Sequence, residues 1–209
     1  MLAVEQEGRP SGDGSRTAGR EYAARLQRLE LSRWKRLFDV QRPYRWNLRR
    51  LRLGRVLDVG CGIGRNLVNL DGHGVGVDHN AEAIAVARGR GLTAYTTGDF
   101  PASSDAAPAS YDALILAHVM EHVDAEVAEG IVTEYLPYLR PGGRVVFITP
   151  QESGYATDAT HVRFVDLAEL RRHCGSLGLT VVKAYSFPFP RLVGRVFRYN
   201  EFVLVARQD

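Results

Sequence analysis

Arg55-Val-Leu-Asp-Val-Gly-Cys-Gly-Ile-Gly-Arg-Asn-Leu67 is the stretch whose reading decides the fold. An apolar β-type run, Val56, Leu57 and Val59, stops at Gly60. Glycines at alternate positions, Gly60, Gly62 and Gly64, follow before a helical pattern begins near Asn66. The pattern spells a strand, a tight turn and a helix start. Glycine is expected there because the backbone must enter conformations that a side chain forbids, and because a ligand must come close to main-chain amides. A dinucleotide fingerprint would need a further glycine at 65, where Arg65 stands. Asp58, on the strand just before the turn, would repel a pyrophosphate and suits an ammonium or sulfonium group. The turn therefore reads as a site for a cationic nucleoside.

Outward from this stretch, four more segments follow in order: Gly74-Val-Gly-Val-Asp78, Thr97-Gly-Asp99-Phe100, Tyr111-Asp-Ala-Leu-Ile-Leu-Ala-His118 and Pro141-Gly-Gly-Arg-Val-Val-Phe147. Together with Asp58-x-Gly60-x-Gly62-x-Gly64 they resemble the motif set of class I S-adenosylmethionine-dependent methyltransferases, over roughly residues 45 to 207. A lone glycine loop is weak evidence, whereas five elements in the right order and spacing are strong.

Apolar runs near 55–59, 74–78, 93–97, 111–116, 143–149, 180–187 and 201–207 predict strands. Helical patterns near 64–70, 80–89, 124–139 and 166–178 lie between them. This alternation predicts an α/β fold with a doubly wound, mostly parallel seven-stranded sheet, whose ligands sit at the carboxyl ends of its strands. The last two strands have no helix between them and read as a hairpin, which matches the antiparallel final strand of the Rossmann-like methyltransferase fold. Three regions are expected. Residues 1–19, poor in large apolar side chains, read as a disordered tail. Residues 20–53 read as a helical extension or lid, with an amphipathic helix over Glu21–Val40 and a shorter one from Tyr44. Residues 54–209 read as the cofactor-binding domain. Tyr22, Trp34, Tyr44 and Trp46 are the lid candidates. The Ala/Ser/Pro-rich stretch 101–110 reads as a surface loop.

Composition narrows the function classes. No apolar run approaches the length of a membrane span, and the opening residues lack a secretory pattern. Two cysteines, Cys61 and Cys174, do not make a disulfide framework, so a cytoplasmic location is expected. Residues 1–55 hold 14 Lys+Arg against 6 Asp+Glu, a net of +8; the remaining 13 against 18 give −5, which together make the +3 of the whole chain. Such asymmetry suits an acidic partner or simply solvated helix faces. The arginines alternate with apolar positions, which favours solvation, and neither nucleic acid nor a membrane is the expected partner.

The resemblance assigns cofactor roles residue by residue. Asp58, Gly60, Gly62 and Gly64 form the methionine-side turn, Asp78 accepts from the ribose hydroxyls, and His79 lies beside the adenine. Asp99 accepts from the adenine amine or merely caps a loop, Phe100 supplies an apolar edge, and Ala117 closes the fourth strand beneath the methyl group.

Beyond Ala117 comes His118-Val-Met-Glu121-His122. If a helix starts at the strand end, 118, 121 and 122 share one face beside the sulfonium. A downstream loop carries Tyr155-Ala-Thr-Asp158-Ala-Thr-His161-Val-Arg163. Two chemistries are open: a histidine general base that takes the acceptor proton, or a divalent ion, magnesium or manganese, bound among His118, Glu121, His122 and His161. The second resembles the Glu-x-x-Glu-His with a distant His of metal-dependent RNA-terminal and quinone O-methyltransferases, with His118 in place of the first Glu. A third reading gives Glu121-His122 only a structural role at the helix start.

The expected activity is transfer of a methyl group from S-adenosylmethionine to a hydroxyl of a small molecule. The His-x-x-Glu-His and Thr-His-Val-Arg segments resemble actinobacterial sugar O-methyltransferases of the methylmannose polysaccharide 1-O-methyltransferase type. Rival readings are an RNA-terminal ribose 2′-O-methyltransferase, a quinone or phenol O-methyltransferase, and a cofactor-holding protein without catalysis. The segment Ser186–Asn200, which interleaves aromatics with Arg191, Arg195 and Arg198, reads as an acceptor contact or as a homodimer contact.

Overall fold

The computed structural model describes residues 41–209. The tail expected over 1–19 and the amphipathic helix over Glu21–Val40, with Tyr22 and Trp34, lie outside the described residues. The elements, in chain order, are α1 (Arg42–Arg50), β1 (Val56–Val59), α2 (Arg65–Asn69), β2 (Gly74–Asp78), α3 (Ala81–Gly89), β3 (Ala94–Thr96), β4 (Tyr111–Ala117), α4 (Ala125–Tyr135), β5 (Leu139–Pro150), α5 (Glu152–Tyr155), α6 (Leu167–Ser176), β6 (Leu179–Phe187) and β7 (Glu201–Gln208).

The strands form one sheet in the order β3-β2-β1-β4-β5-β7-β6. β1 to β5 run parallel, and β7 is antiparallel to both its neighbours. All four residues of β1 are buried, as parallel strands covered on both faces require. Alternation along β4 divides the core. Ala113 and Ile115 face α1 through Leu48, while Leu114 and Leu116 face α4 and α6 through Val132 and Leu170. Two helices are started by side chains that accept from free amides: Asn80 from Glu82 and Ala83, and Asp166 from Ala168 and Glu169.

Register sets the functional edge. Ala117 pairs with Ile148 on β5, and Pro150 at the end of β5 pairs with Glu201 at the start of β7. Because β7 runs backwards, its first residue lies at the edge where β1, β2, β4 and β5 end. Two boundaries depart from expectation. The helix expected over 124–139 ends at Tyr135 and passes through a 3-10 turn at Leu136–Tyr138, where Pro137 cannot continue it. β5 begins at Leu139, four residues earlier than expected, because Leu139 already pairs with Tyr111.

Candidate active site

The glycine turn is tied to β2. The amides of Gly60 and Cys61 donate to the Val77 carbonyl at 2.8 and 3.1 Å. Asp78 accepts from Gly62 N at 2.7 Å and from Asn80 N at 2.8 Å. The acid that ends β2 thus holds the turn in place. Gly60, Gly62 and Gly64 all have positive φ, as expected. Packing adds a further reason at two of them: a Cβ on Gly60 would stand 2.3 Å from Val119 Cγ2, and one on Gly64 2.3 Å from Leu92 Cδ1.

Asp58 is fully buried. Its Oδ1 accepts from Asn66 Nδ2 at 3.2 Å, and its Oδ2 meets no hydrogen-bond partner among the described residues. Burial pushes its carboxyl up to about 7; the Asn66 bond opposes this shift and the charge of Asp78 adds to it. A buried carboxylate with an orphan oxygen calls for a cationic or proton-donating partner.

The remaining expected cofactor residues fall into different surroundings. His79 is exposed, with Nδ1 3.4 Å from Asp78. Asp99 follows β3 with its carboxylate in solvent, 4.0 Å from Arg88. Phe100 is corrected: it is 1% exposed and packs on Tyr95, Tyr135 and Tyr138, so its ring belongs to the core and not to an open adenine edge. Ala117, half-buried, ends β4.

On the acceptor side the expected helix does not begin at the strand end. His118 takes φ 58°, a left-handed conformation uncommon without glycine. A 3-10 turn covers Met120–His122, and α4 starts only at Ala125. The three residues therefore do not share a helix face, yet Glu121 still joins the two histidines. Its Oε1 lies 3.1 Å from His118 Nδ1, while Glu121, His122 and His161 each present a donor atom within 4.8 Å of the others. Glu121 is 0% exposed, and its Oε2 has no hydrogen-bond partner among the described residues.

The other face of His118 carries a residue the sequence reading did not single out. His118 Nε2 lies 3.0 Å from Glu201 Oε1. Desolvation opposes a charge on His118, whose side chain is still 41% exposed, but the hydrogen bonds to Glu121 and Glu201 push it up to about 10. A shift in this direction favours the protonated imidazole and opposes a general-base role. An acid at the first position of a strand predicted to be antiparallel was the available signal for Glu201.

His122 has the opposite character. Burial lowers its pKa; Glu121 opposes and His161 reinforces that shift, so the ring stays neutral. Its Nδ1 faces Thr160 O at 3.3 Å and Thr160 Oγ1 at 3.2 Å, and that hydroxyl donates onward to Asp158. His161 Nδ1 faces Tyr155 O at 2.8 Å, and its ring stacks on Tyr155. Carbonyl partners favour a proton on Nδ1 of each ring, which makes Nε2 the candidate ligand atom, the orientation of metal-binding histidines. The two loops are stitched together: Val162 N donates to Glu121 O at 2.9 Å, and the Arg163 guanidinium donates to Met120 O, Val123 O and Glu169.

The family description "Methyltransferase domain" matches the chain over residues 18–184. No curated protein sequence matches it. Similar solved structures include an S-adenosylmethionine-dependent methyltransferase from Archaeoglobus fulgidus, 19% identical with a TM-score of 0.63, covering 84% of this chain and 98% of that one. A Haloferax volcanii methyltransferase, solved in complex with the Trm112 activator, is 20% identical with a TM-score of 0.66, covering 90% and 96%. Magnesium protoporphyrin IX methyltransferase from Synechocystis, with bound S-adenosylhomocysteine, is 15% identical with a TM-score of 0.64, covering 93% and 97%. At these identities the likeness is one of fold.

Proposed function

This chain belongs to the methyltransferase-domain family, and on that premise we propose that it methylates a hydroxyl oxygen of a small molecule, a sugar or oligosaccharide, with a divalent ion beside the acceptor. The family and its solved relatives make it an S-adenosylmethionine-dependent methyltransferase. The oxygen, the sugar and the ion are the proposal.

The observation that carries the proposal is the buried Oε2 of Glu121, unpartnered among the described residues, grouped with His122 and His161. A carboxylate oxygen in that state is costly unless something cationic meets it. His118 already occupies the other oxygen, so the demand is local to Oε2. One carboxylate and two imidazoles suit manganese or a softer ion better than magnesium, which prefers oxygen ligands. The residues thus fit the group: Glu121, His122 and His161 would hold the ion, which would supply Lewis acidity that eases loss of the acceptor proton.

S-adenosylmethionine supplies an activated methyl group when bound. The chain's own residues bind and orient. Asp58 meets the ammonium, Asp78 meets the ribose hydroxyls while fixing the turn, and Asp99 marks the adenine side. His118, charged and pinned between Glu121 and Glu201, cannot take a proton but keeps both carboxylates aligned. His122, neutral and with Nε2 unprotonated, is the side chain suited to receive the hydroxyl proton if no ion is required. A hydroxyl acceptor needs such help because its proton must leave, whereas an amine needs less.

Methyl transfer to a panel of sugars, phenols and short RNAs, read by mass spectrometry of the products, tests the acceptor class. The proposal expects products from sugars or oligosaccharides. Products only from RNA or from amines would contradict it.

A further inference from the structure

Two segments that the methyl-transfer chemistry does not use lie side by side at the mouth of the site. The first is α1, residues 42–50. It holds four arginines and no acid. The second is the excursion between β6 and β7, residues 186–200, with three arginines and no acid. Tyr44 on α1 donates its hydroxyl to the Tyr199 carbonyl, and Tyr44 and Trp46 both pack on Phe187. The two segments thus form one face.

The face is both apolar and cationic. Leu192 is 70%, Val196 82% and Trp46 56% exposed, and Phe189 and Tyr199 stand out beside them. Exposed apolar side chains in this number mark an interaction surface. They sit on a rigid base. Asn200, fully buried, donates to Gln151 Oε1 and Phe189 O and accepts from Phe189 N, and Gln151 in turn donates to Ser186 and Glu201 O. Arg49 is neutralised by Asp71 and Arg191 by Glu152. Arg42, Arg50, Arg195 and Arg198 remain exposed on these two segments.

We propose that this face docks the enzyme on an anionic phospholipid surface, with Leu192 and Val196 entering the headgroup boundary and the arginines pairing with phosphates. No helix among the described residues is long and apolar enough to cross a membrane, so the association is peripheral. Charge complementarity selects the partner. Two copies meeting through this face would oppose arginine to arginine. A nucleic acid would use the arginines and Trp46 but has no use for aliphatic tips, which do not stack on bases. An anionic bilayer uses both features. Glu201, which contacts His118, directly follows the excursion, so docking here would bring the site mouth to the surface.

The test is co-sedimentation of the full chain with vesicles of phosphatidylcholine alone and of phosphatidylcholine with about one-third phosphatidylglycerol, at roughly 0.1 M salt. Binding is expected to the anionic vesicles only. Arg195→Gln with Arg198→Gln should lower partitioning roughly 10–30-fold, and Leu192→Ser with Val196→Ser at least about tenfold. No binding to anionic vesicles, or binding that both pairs leave unchanged, would overturn the proposal. So would tighter binding of a short RNA that is indifferent to Leu192 and Val196, or a dimer in sedimentation velocity that the serine pair dissolves. Quenching of tryptophan fluorescence by brominated lipid needs no folded loop variant: quenching reduced in Trp46→Phe supports the docking face, and unquenched wild-type protein overturns it.

Discussion

His118 Nε2 lies 3.0 Å from Glu201 Oε1 although 83 residues separate them in the chain. The antiparallel entry of β7 makes the contact possible, and it turns an expected base into a fixed cation between two acids. Glu201→Gln should leave S-adenosylhomocysteine binding intact, because the side-chain bond it weakens is the one to His118. Loss of a charge-assisted hydrogen bond of about 1.5–3 kcal/mol should lower kcat/KM for the acceptor roughly 10–100-fold. Steady-state kinetics with calorimetric cofactor binding separates the two effects.

His118→Ala removes the cation from Glu121, which is fully buried. An uncompensated buried carboxylate costs about 3 kcal/mol or more. The melting temperature should fall by roughly 6–12 °C. Glu121→Gln in the same chain should recover much of that loss, and a thermal melt of both variants checks it.

Asp58 gives a pH dependence whose sign is fixed by its raised carboxyl, at about 7 against an ordinary 3.8. A raised pKa means that protonation favours the folded state: this contribution to stability is full below about pH 4 and is lost as pH rises through about 7. Cofactor binding has the reverse sign, because the ammonium needs the ionised form. S-adenosylhomocysteine affinity should weaken up to about tenfold per unit as pH falls below 7. In Asp58→Asn the slope should vanish, which calorimetry across pH 5.5 to 8 would read.

Gly60→Ala tests the crowding of the turn. Positive φ alone costs a side chain about 1–2 kcal/mol, and the new Cβ would meet Val119 Cγ2 at 2.3 Å. The melting temperature should drop by roughly 2–8 °C. Val119→Ala added to it should return only the steric share, so a double-mutant cycle shows coupling between residues 60 and 119.

The sheet was legible in the sequence because strands buried on both faces read as apolar runs, as in Val145-Val-Phe-Ile148, and because Asp78 and the glycine turn mark strand ends. The site was legible in part. Glu121, His122 and His161 could be grouped by residue type, yet spacing suggested a helix face, and the real device is a left-handed His118 followed by a 3-10 turn. Glu201 escaped notice because its role depends on a long-range pairing, Pro150 with Glu201, that no local pattern records. Phe100 was misplaced for a similar reason: its neighbours Tyr135 and Tyr138 come from a distant helix end.

The central claim, an ion held by Glu121, His122 and His161 beside the acceptor, is tested most directly by initial rates of methyl transfer after EDTA treatment and after manganese or magnesium is added back. Transfer should be lost with chelator and restored by manganese more fully than by magnesium, and His161→Ala should stay inactive with manganese while still binding S-adenosylhomocysteine. An unchanged rate in EDTA, or full activity of His161→Ala, would contradict it.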